Sequence, residues 1–211
     1  DRIITMRLQA QHTKVTIIQG YAPTNAATDQ DKNEFYEQNI LDAAPEHDLK
    51  IVMGDFNAQI GSDNTGWEET MGREATGDRT DNGERLLSYC SANKLRIGGS
   101  QFQHKNTQKG TWRSPDGMTV NQIDHFCISK RWASSLQDVR VRRGADIDSD
   151  HYLVVATVQI KLKSQTNKKM QRALDIDRLK KIETQQQFQL ELKNLFSLLE
   201  EQATDDKLRI E

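Results

Sequence analysis

Residues 49–53 (Leu-Lys-Ile-Val-Met) form a short, nearly continuous apolar run that stops at Gly54. Such a run suits a buried strand, and it delivers Asp55 and Asn57, from Gly54-Asp55-Phe56-Asn57, at its C-terminal end. The flanking sequence supplies the rest of a mixed α/β body. Residues 2–9 and 14–20 read as paired strands with His12-Thr13 in the turn, and residues 31–44 as a helix with Phe35, Ile40 and Leu41 facing a core. Residues 58–80 carry Gly61, Gly66, Gly72 and Gly77 among polar side chains, which predicts a long surface loop, and loops of that length tend to be functional. Asp81 with Glu84 three positions on is a capping pattern that predicts a helix running to about Asn93. After Leu95-Arg96-Ile97 and Gly98-Gly99, strands are expected at 110–112, 121–129, 139–143 and 152–162.

With 211 residues, 35% hydrophobic and 28% charged, the chain is long enough for one ordinary domain and a remainder. A change of character at Lys163 sets the expected boundary: residues 1–163 form the body, and 164–211 a basic linker (164–173) and a helical tail. In that tail Phe188, Leu192, Leu195 and Leu199 repeat at 4-3-4 spacing, which suits a helix packed back on the body better than a coiled coil. No stretch reaches the roughly 18 apolar residues that span a bilayer, and Asp1-Arg2-Ile3-Ile4-Thr5 lacks a signal peptide's layout. A nuclear or cytoplasmic, non-secreted protein without a membrane partner is expected. Cys90 and Cys127 are too few for a zinc site or disulfide framework and read as reduced core residues. A net charge of -2 argues against a generic basic coat for nucleic acid, although local clusters can still hold a phosphate backbone. The chain opens on Asp1 with Ile4, Met6 and Leu8 already alternating like a mid-domain strand, so a fragment of something longer is expected.

Four motifs bring carboxylates, an amide, a phenol and an imidazole in a fixed order: Gly20-Tyr21-Ala22-Pro23-Thr24, Gly54-Asp55-Phe56-Asn57, Gln122-Ile123-Asp124-His125-Phe126 and Ser149-Asp150-His151. Hydrolysis of a phosphodiester needs a positioned water, a proton acceptor, and donors or positive charge at the phosphate oxygens. Asp55 can orient and deprotonate the water, and Asn57, on the same side of an extended segment, can donate to a non-bridging oxygen. Taken alone, that tetrapeptide is more often a turn. Asp124 shares a strand face with Phe126 and Ile128, an expensive place for an acid unless it is paired. His151 is the expected partner, Asp124 accepting from one ring nitrogen so that the other faces the phosphate; the bland reading is an acid facing solvent at a strand end. Asp150 faces away from that pair and is free to bind a cation, or makes an Asx turn before the last strand. Tyr21 sits at a strand end, where it either bonds a phosphate or caps the core edge. Trp112 packs inside or projects toward nucleic acid, core packing being the safer expectation. Lys130 and Arg131, with Arg140, Arg142 and Arg143, make the densest basic region of the body, suited to a DNA backbone or to a solvated strand face. His12, His47, His104 and His125 lack partners at metal-ligand spacing and read as ordinary polar residues.

As a set, Gly-Tyr-Ala-Pro, Gly-Asp-Phe-Asn, Ile-Asp-His and Ser-Asp-His resemble the endonuclease/exonuclease/phosphatase superfamily. The wording of residues 20–24, 54–61, 110–128 and 143–155 is similar to the apurinic-type endonuclease domain of non-long-terminal-repeat retrotransposons and host proteins derived from them, the craniofacial development protein (Bucentaur) group included. The resemblance spans about residues 2–163, and the tail is similar to the segment joining that endonuclease to a reverse transcriptase. It implies a four-layer α/β sandwich of two packed mixed β-sheets flanked by helices, here partial, plus a C-terminal helical tail. It also implies Mg²⁺-dependent nicking of DNA, with Mn²⁺ as an alternative ion, leaving a 3′-hydroxyl to prime a reverse transcriptase partner. By matched position, Tyr21 binds phosphate, Asp55 activates water, Asn57 stabilises the transition state, Asp124 orients His151, and His151 stabilises developing charge. The implied metal set is Asp55, Asn57 and Asp150, with the Trp112 loop near DNA. The family's upstream strands, bearing an asparagine and a metal-ligating glutamate, have no counterpart here, which implies weakened Mg²⁺ binding and open sheet edges. A degenerate, domesticated copy that binds DNA or protein without catalysis is the alternative reading. A phosphatase of the same fold, acting on inositol phosphates or sphingomyelin, ranks last.

Overall fold

The computed structural model describes residues 2–10, 13–38, 41, 44–144, 149–160 and 180–207, with 198–207 as backbone. The turn residue His12, the core position Ile40, the basic stretch 164–173 and the Leu199 side chain lie outside the described residues. Contacts divide the chain into two units, Asp1–Leu162 and Lys163–Glu211.

In the first unit a five-stranded sheet has the order β1-β2-β3-β7-β4, where β1 is Ile3–Gln9, β2 Lys14–Tyr21, β3 Leu49–Asp55, β4 Leu95–Ile97 and β7 Asp124–Ser129. β2 and β3 run parallel, and the other pairs are antiparallel. The apolar run of β3 therefore occupies the middle of the sheet, buried on both faces as its composition requires. Val52, with Ile18 and Cys127, points into a core shared with Phe35 of α1 (Asp29–Glu37) and Leu86, Leu87 and Cys90 of α2 (Asp81–Ala92). Ile51, Phe126 and Ile128 point the other way, against Leu136 and Val139 of β8 (Leu136–Arg142) and Val154 and Ala156 of β9 (Leu153–Val158), an antiparallel two-stranded sheet. Helices, sheet and sheet are thus stacked as an α/β sandwich. A third ribbon joins β5 (Trp112–Arg113) to β6 (Val120–Asn121). Cys90 and Cys127 are free and buried, their sulfurs 3.8 Å apart.

The second sheet is narrower than the first. Met6 pairs with Ile17 and Leu8 with Val15, on the face that Ile51 presents to β8 and β9, yet Ile4, Met6 and Leu8 are 69%, 54% and 44% exposed. That half of the face has no cover among the described residues.

Element boundaries differ from the sequence expectation where polar groups compete. α1 starts at Asp29 because Thr28 caps it, its hydroxyl accepting from the Asp31 amide, and it stops at Glu37 rather than running to 44. Pro45 disfavours helical backbone in the residue before it. At α2 the cap is Thr80, which accepts from Gly83 N, instead of Asp81. The strand expected over 121–129 is interrupted at Gln122-Ile123, where the amides of Ile123 and Asp124 both donate to the Thr111 hydroxyl at 3.0 Å. At Gly54, φ is +141° and a Cβ would come within 2.0 Å of the Gly20 carbonyl oxygen, so only glycine lets β2 and β3 close up just before Asp55.

The second unit contains α3 (Ile182–Lys207), on which Phe188, Leu192 and Leu195 are exposed. Among the described residues no helix is long and apolar enough to cross a membrane.

Candidate active site

The site grows from sheet register. Tyr21, the last residue of β2, is the partner of Asp55, the last of β3, and Asp55 in turn faces Asp124, the first of β7. Directly opposed residues share a face, so three polar side chains form a row at one rim of the sheet, on the side where β8 and β9 pack. His151 enters from the segment preceding β9, anchored through a backbone bridge to Trp112 and through Tyr152 N, which donates to Thr111 O at 2.7 Å.

His151 Nδ1 lies 3.0 and 3.2 Å from the two oxygens of Asp124, and its Nε2 lies 3.9 Å from Asp55 Oδ2. The carboxylate of Asp124 favours the tautomer with the proton on Nδ1, leaving Nε2 turned toward Asp55. Asn57 follows in the left-handed region at φ +47°. Its N–H donates to Asp55 Oδ1 at 2.8 Å, and its side-chain amide donates to Ala22 O at 3.0 Å. Burial pushes the Asp55 carboxyl above the usual carboxylate range, helped by the negative charges of Asp124 and Asp150; the Asn57 N–H and His151 oppose that rise.

Asp55, Asp124 and His151 offer ligand atoms that all lie within 4.8 Å of one another, a group that can hold a cation. Two hard carboxylate oxygens suit Mg²⁺ or a similar ion, and a cation would relieve the crowding of like charge that raises Asp55. Asp150 is not in this group. Its Oδ2 accepts the Trp112 indole N–H at 2.7 Å, which turns the carboxylate toward the β5–β6 ribbon and gives Trp112 a half-buried, hydrogen-bonded place. Tyr21 is 54% exposed, with the Arg2 guanidinium 5.4 Å above its ring, beside an open cleft of about 530 Å³ lined also by Thr24, Asp31, Glu34 and Gln38.

Lys130 and Arg131 are not brought to this rim. They follow the far end of β7, about 20 Å from Asp124 at the ordinary rise of a strand, where Lys130 pairs with Glu69 and Arg131 lies 3.2 Å from His47 Nδ1. Besides Arg2 over Tyr21, arginines at the site's own end include Arg113 on β5, Arg142, register partner of Leu153, and Arg143, stacked 4.9 Å from the Tyr152 ring. Sequence reasoning also passed over three buried polar residues around the site. Thr111 holds the Asp124 amide; Asn82 donates to Pro23 O at 2.9 Å and Asn57 O at 3.1 Å; His125 Nε2 donates to Ala58 O at 2.7 Å. Asn82-Gly83, a poor helix-forming pair in the first turn of a capped helix, was the available signal.

No protein-family model matches the chain. It is 39% identical over 165 residues to craniofacial development protein 2 of Bos taurus, and 38% identical over 165 residues to that of Tragulus javanicus. Each alignment takes in 77% of this chain, which spans 28% of the length of these curated relatives. Among solved structures it is similar to the endonuclease domain of TRAS1, a telomere-specific non-LTR retrotransposon, with a TM-score of 0.54 and 16% identity over 76% of this chain and 63% of that one. The 3′-5′ exonuclease NExo from Neisseria meningitidis gives a TM-score of 0.56 and 20% identity over 75% and 65% of the two chains. An endonuclease/exonuclease/phosphatase family protein from Leptotrichia buccalis gives 0.51 and 17% over 75% and 53%. The chain has the endonuclease/exonuclease/phosphatase fold, in agreement with the superfamily resemblance of its four motifs.

Proposed function

We propose that this chain hydrolyses a phosphodiester bond of DNA with the help of Mg²⁺ or Mn²⁺, nicking one strand and leaving a 3′-hydroxyl. The observation that carries the reading is the line of three groups at the sheet rim, in which Asp124 holds His151 at 3.0 Å and His151 faces Asp55 at 3.9 Å. At that spacing a water or phosphate oxygen set to one side of the pair can hydrogen-bond both imidazole and carboxylate. Asp55, half-buried at the sheet rim with its carboxyl raised by burial, accepts a proton from the attacking water. The water oxygen bonds to phosphorus as the bond to the 3′ oxygen breaks, and that oxygen takes up a proton from solvent to become the 3′-hydroxyl. His151, aimed by Asp124, presents Nε2 to the phosphate, while the Tyr21 hydroxyl and the Asn57 amide bind phosphate oxygens on which charge develops. Asp55 and Asp124, with His151 beside them, would hold a divalent cation, which would supply Lewis-acid polarisation of the phosphoryl group. Arg113, Arg142 and Arg143 supply positive charge along the DNA backbone, and Trp112 abuts it.

Similarity in fold to the endonuclease domain of a non-LTR retrotransposon supports nicking of a target site. A free 3′-hydroxyl is what a reverse transcriptase extends, so such a polymerase is the partner this reading implies. Supercoiled plasmid incubated with Mg²⁺ is expected to be nicked, with loss of nicking in EDTA and a fall of at least about 100-fold in His151→Ala. Nicking that survives His151→Ala unchanged would overturn the mechanism, and DNA binding without nicking in any form would favour the binding-module alternative.

A further inference from the structure

The loop that follows Asp55 is held from below by two buried side chains. Asn57 occupies the left-handed region, which asparagine enters more readily than other non-glycine residues. The carbonyls of Asn57 and Ala58 each accept a hydrogen bond from a residue distant in sequence: Asn82 Nδ2 reaches Asn57 O at 3.1 Å, and His125 Nε2 reaches Ala58 O at 2.7 Å. Asn82 is 0% exposed and His125 3% exposed. Both bonds therefore form away from water, where a missing donor is costly. The second N–H of Asn82 goes to Pro23 O at 2.9 Å, which ties the Tyr21 loop to the same point.

Packing alone does not account for these residues. Each keeps a buried polar atom, Asn82 Oδ1 and His125 Nδ1, without a hydrogen-bond partner among the described residues. An apolar side chain of similar shape would avoid that penalty and fill the same space. Gly83 completes the arrangement: a Cβ there would meet Gln59 O at 1.9 Å, so α2 approaches the loop this closely only with glycine beside Asn82.

We infer that Asn82 and His125 are positioning residues, a two-point clamp that fixes the backbone of residues 57–58 and through it the placement of Asp55 and Asn57. They touch no substrate. The link to Asp55 is direct, since Asn57 N–H donates to Asp55 Oδ1 at 2.8 Å. The inference rests on the reading of Asp55 and Asn57 as hydrolytic residues, but its structural core is tested separately.

The informative pair of variants is His125→Phe, which keeps the ring and loses the donor, and His125→Gln, whose amide nitrogen restores a donor on a chain of comparable reach. Two quantities are read on the whole chain: hydrogen exchange at the Asn57 amide, and kcat and KM for plasmid nicking. His125→Phe is expected to speed exchange at Asn57 by about tenfold while β3 amides keep their protection, and to lower kcat by about 10- to 100-fold with KM within about threefold. His125→Gln is expected to bring both back to within about threefold of the parent chain. Unchanged exchange in His125→Phe, or a Gln variant no better than Phe, would overturn the clamp. If His125→Phe does not fold, Asn82→Leu, which preserves shape and removes both donors, is read by the same exchange measurement with the same expected loosening. Should the parent chain not nick DNA, the hydrolytic reading fails, and exchange at Asn57 alone decides whether the clamp exists.

Discussion

Replacing Thr111 by valine isolates one oxygen atom that organises the site. Thr111 is 2% exposed, and its hydroxyl accepts two amides, Ile123 N and Asp124 N, each at 3.0 Å. Those amides lie at the break between β6 and β7, where no neighbouring strand is in register to receive them. Valine fills nearly the same volume but accepts nothing, so two donors lose their partner. Each donor left unsatisfied costs about 1–3 kcal/mol when buried. Ile123 and Asp124 are half-buried, which lets some water reach them and places each cost in the lower part of that range. Burial of an extra methyl group returns about 0.8 kcal/mol. The net expectation is a loss of about 1–3 kcal/mol, read as a lower urea midpoint with an unchanged slope. Thr111→Ser, which keeps the acceptor, should lose less than half of this. A Val variant within about 0.5 kcal/mol of the parent chain, or a Ser variant as damaged as Val, would refute the assignment of these two bonds. Because the Asp124 amide is one of the two, nicking by Thr111→Val should also fall by more than the change in folded fraction.

Asp55 ties stability to pH. Its carboxyl is raised first by burial and then by Asp124 and Asp150, so folding favours the protonated form; that stability is complete below the unfolded value, near ~3.9, and is lost as pH rises through the folded one. Asp55→Asn in EDTA is therefore expected to raise the urea midpoint at pH 7 and to leave it unchanged at about pH 3, and a lower midpoint at pH 7 would contradict the stated cause. The bare face of β1 makes a different prediction, because Ile4, Met6 and Leu8 form an exposed apolar row on an edge strand. Sedimentation velocity should show concentration-dependent association that Ile4→Lys combined with Met6→Lys suppresses; identical, concentration-independent profiles for both chains would count against it.

Some of this arrangement was legible in the sequence because it follows from strands alone. An apolar run that ends in Gly54-Asp55 puts a carboxylate at a strand terminus, and a second strand opening on Asp124 must meet it if the two are antiparallel neighbours. The strand period also predicts that Asp124 shares a face with Phe126 and Ile128. Strand length works in the other direction for Lys130 and Arg131. They are only six and seven residues after Asp124, and that interval is the length of β7, so sequence proximity translates into opposite ends of the sheet. Helix ends were less legible, since Thr80 and Asp81 are both acceptable caps and only the geometry of Gly83 N selects the threonine.

The buried polar residues were illegible for a more general reason. A carboxylate and an imidazole are both written in the sequence, so Asp124 and His151 can be paired on their chemistry alone. Asn82, His125 and Thr111 bond instead to main-chain atoms of Pro23, Asn57, Ala58, Ile123 and Asp124, and every residue except proline has the same N–H and C=O groups. Nothing in the identity of Ala58 announces that its carbonyl is taken by His125. Without a visible partner, His125 reads as a polar residue that spoils strand alternation, although it is 3% exposed and one residue from Asp124. The charged row at the rim is thus one half of the site, and the other half is a set of side chains that hold its backbone in place. Substitutions in that second half should act on the geometry of Asp55 and Asn57 while leaving every charged group of the rim in the sequence.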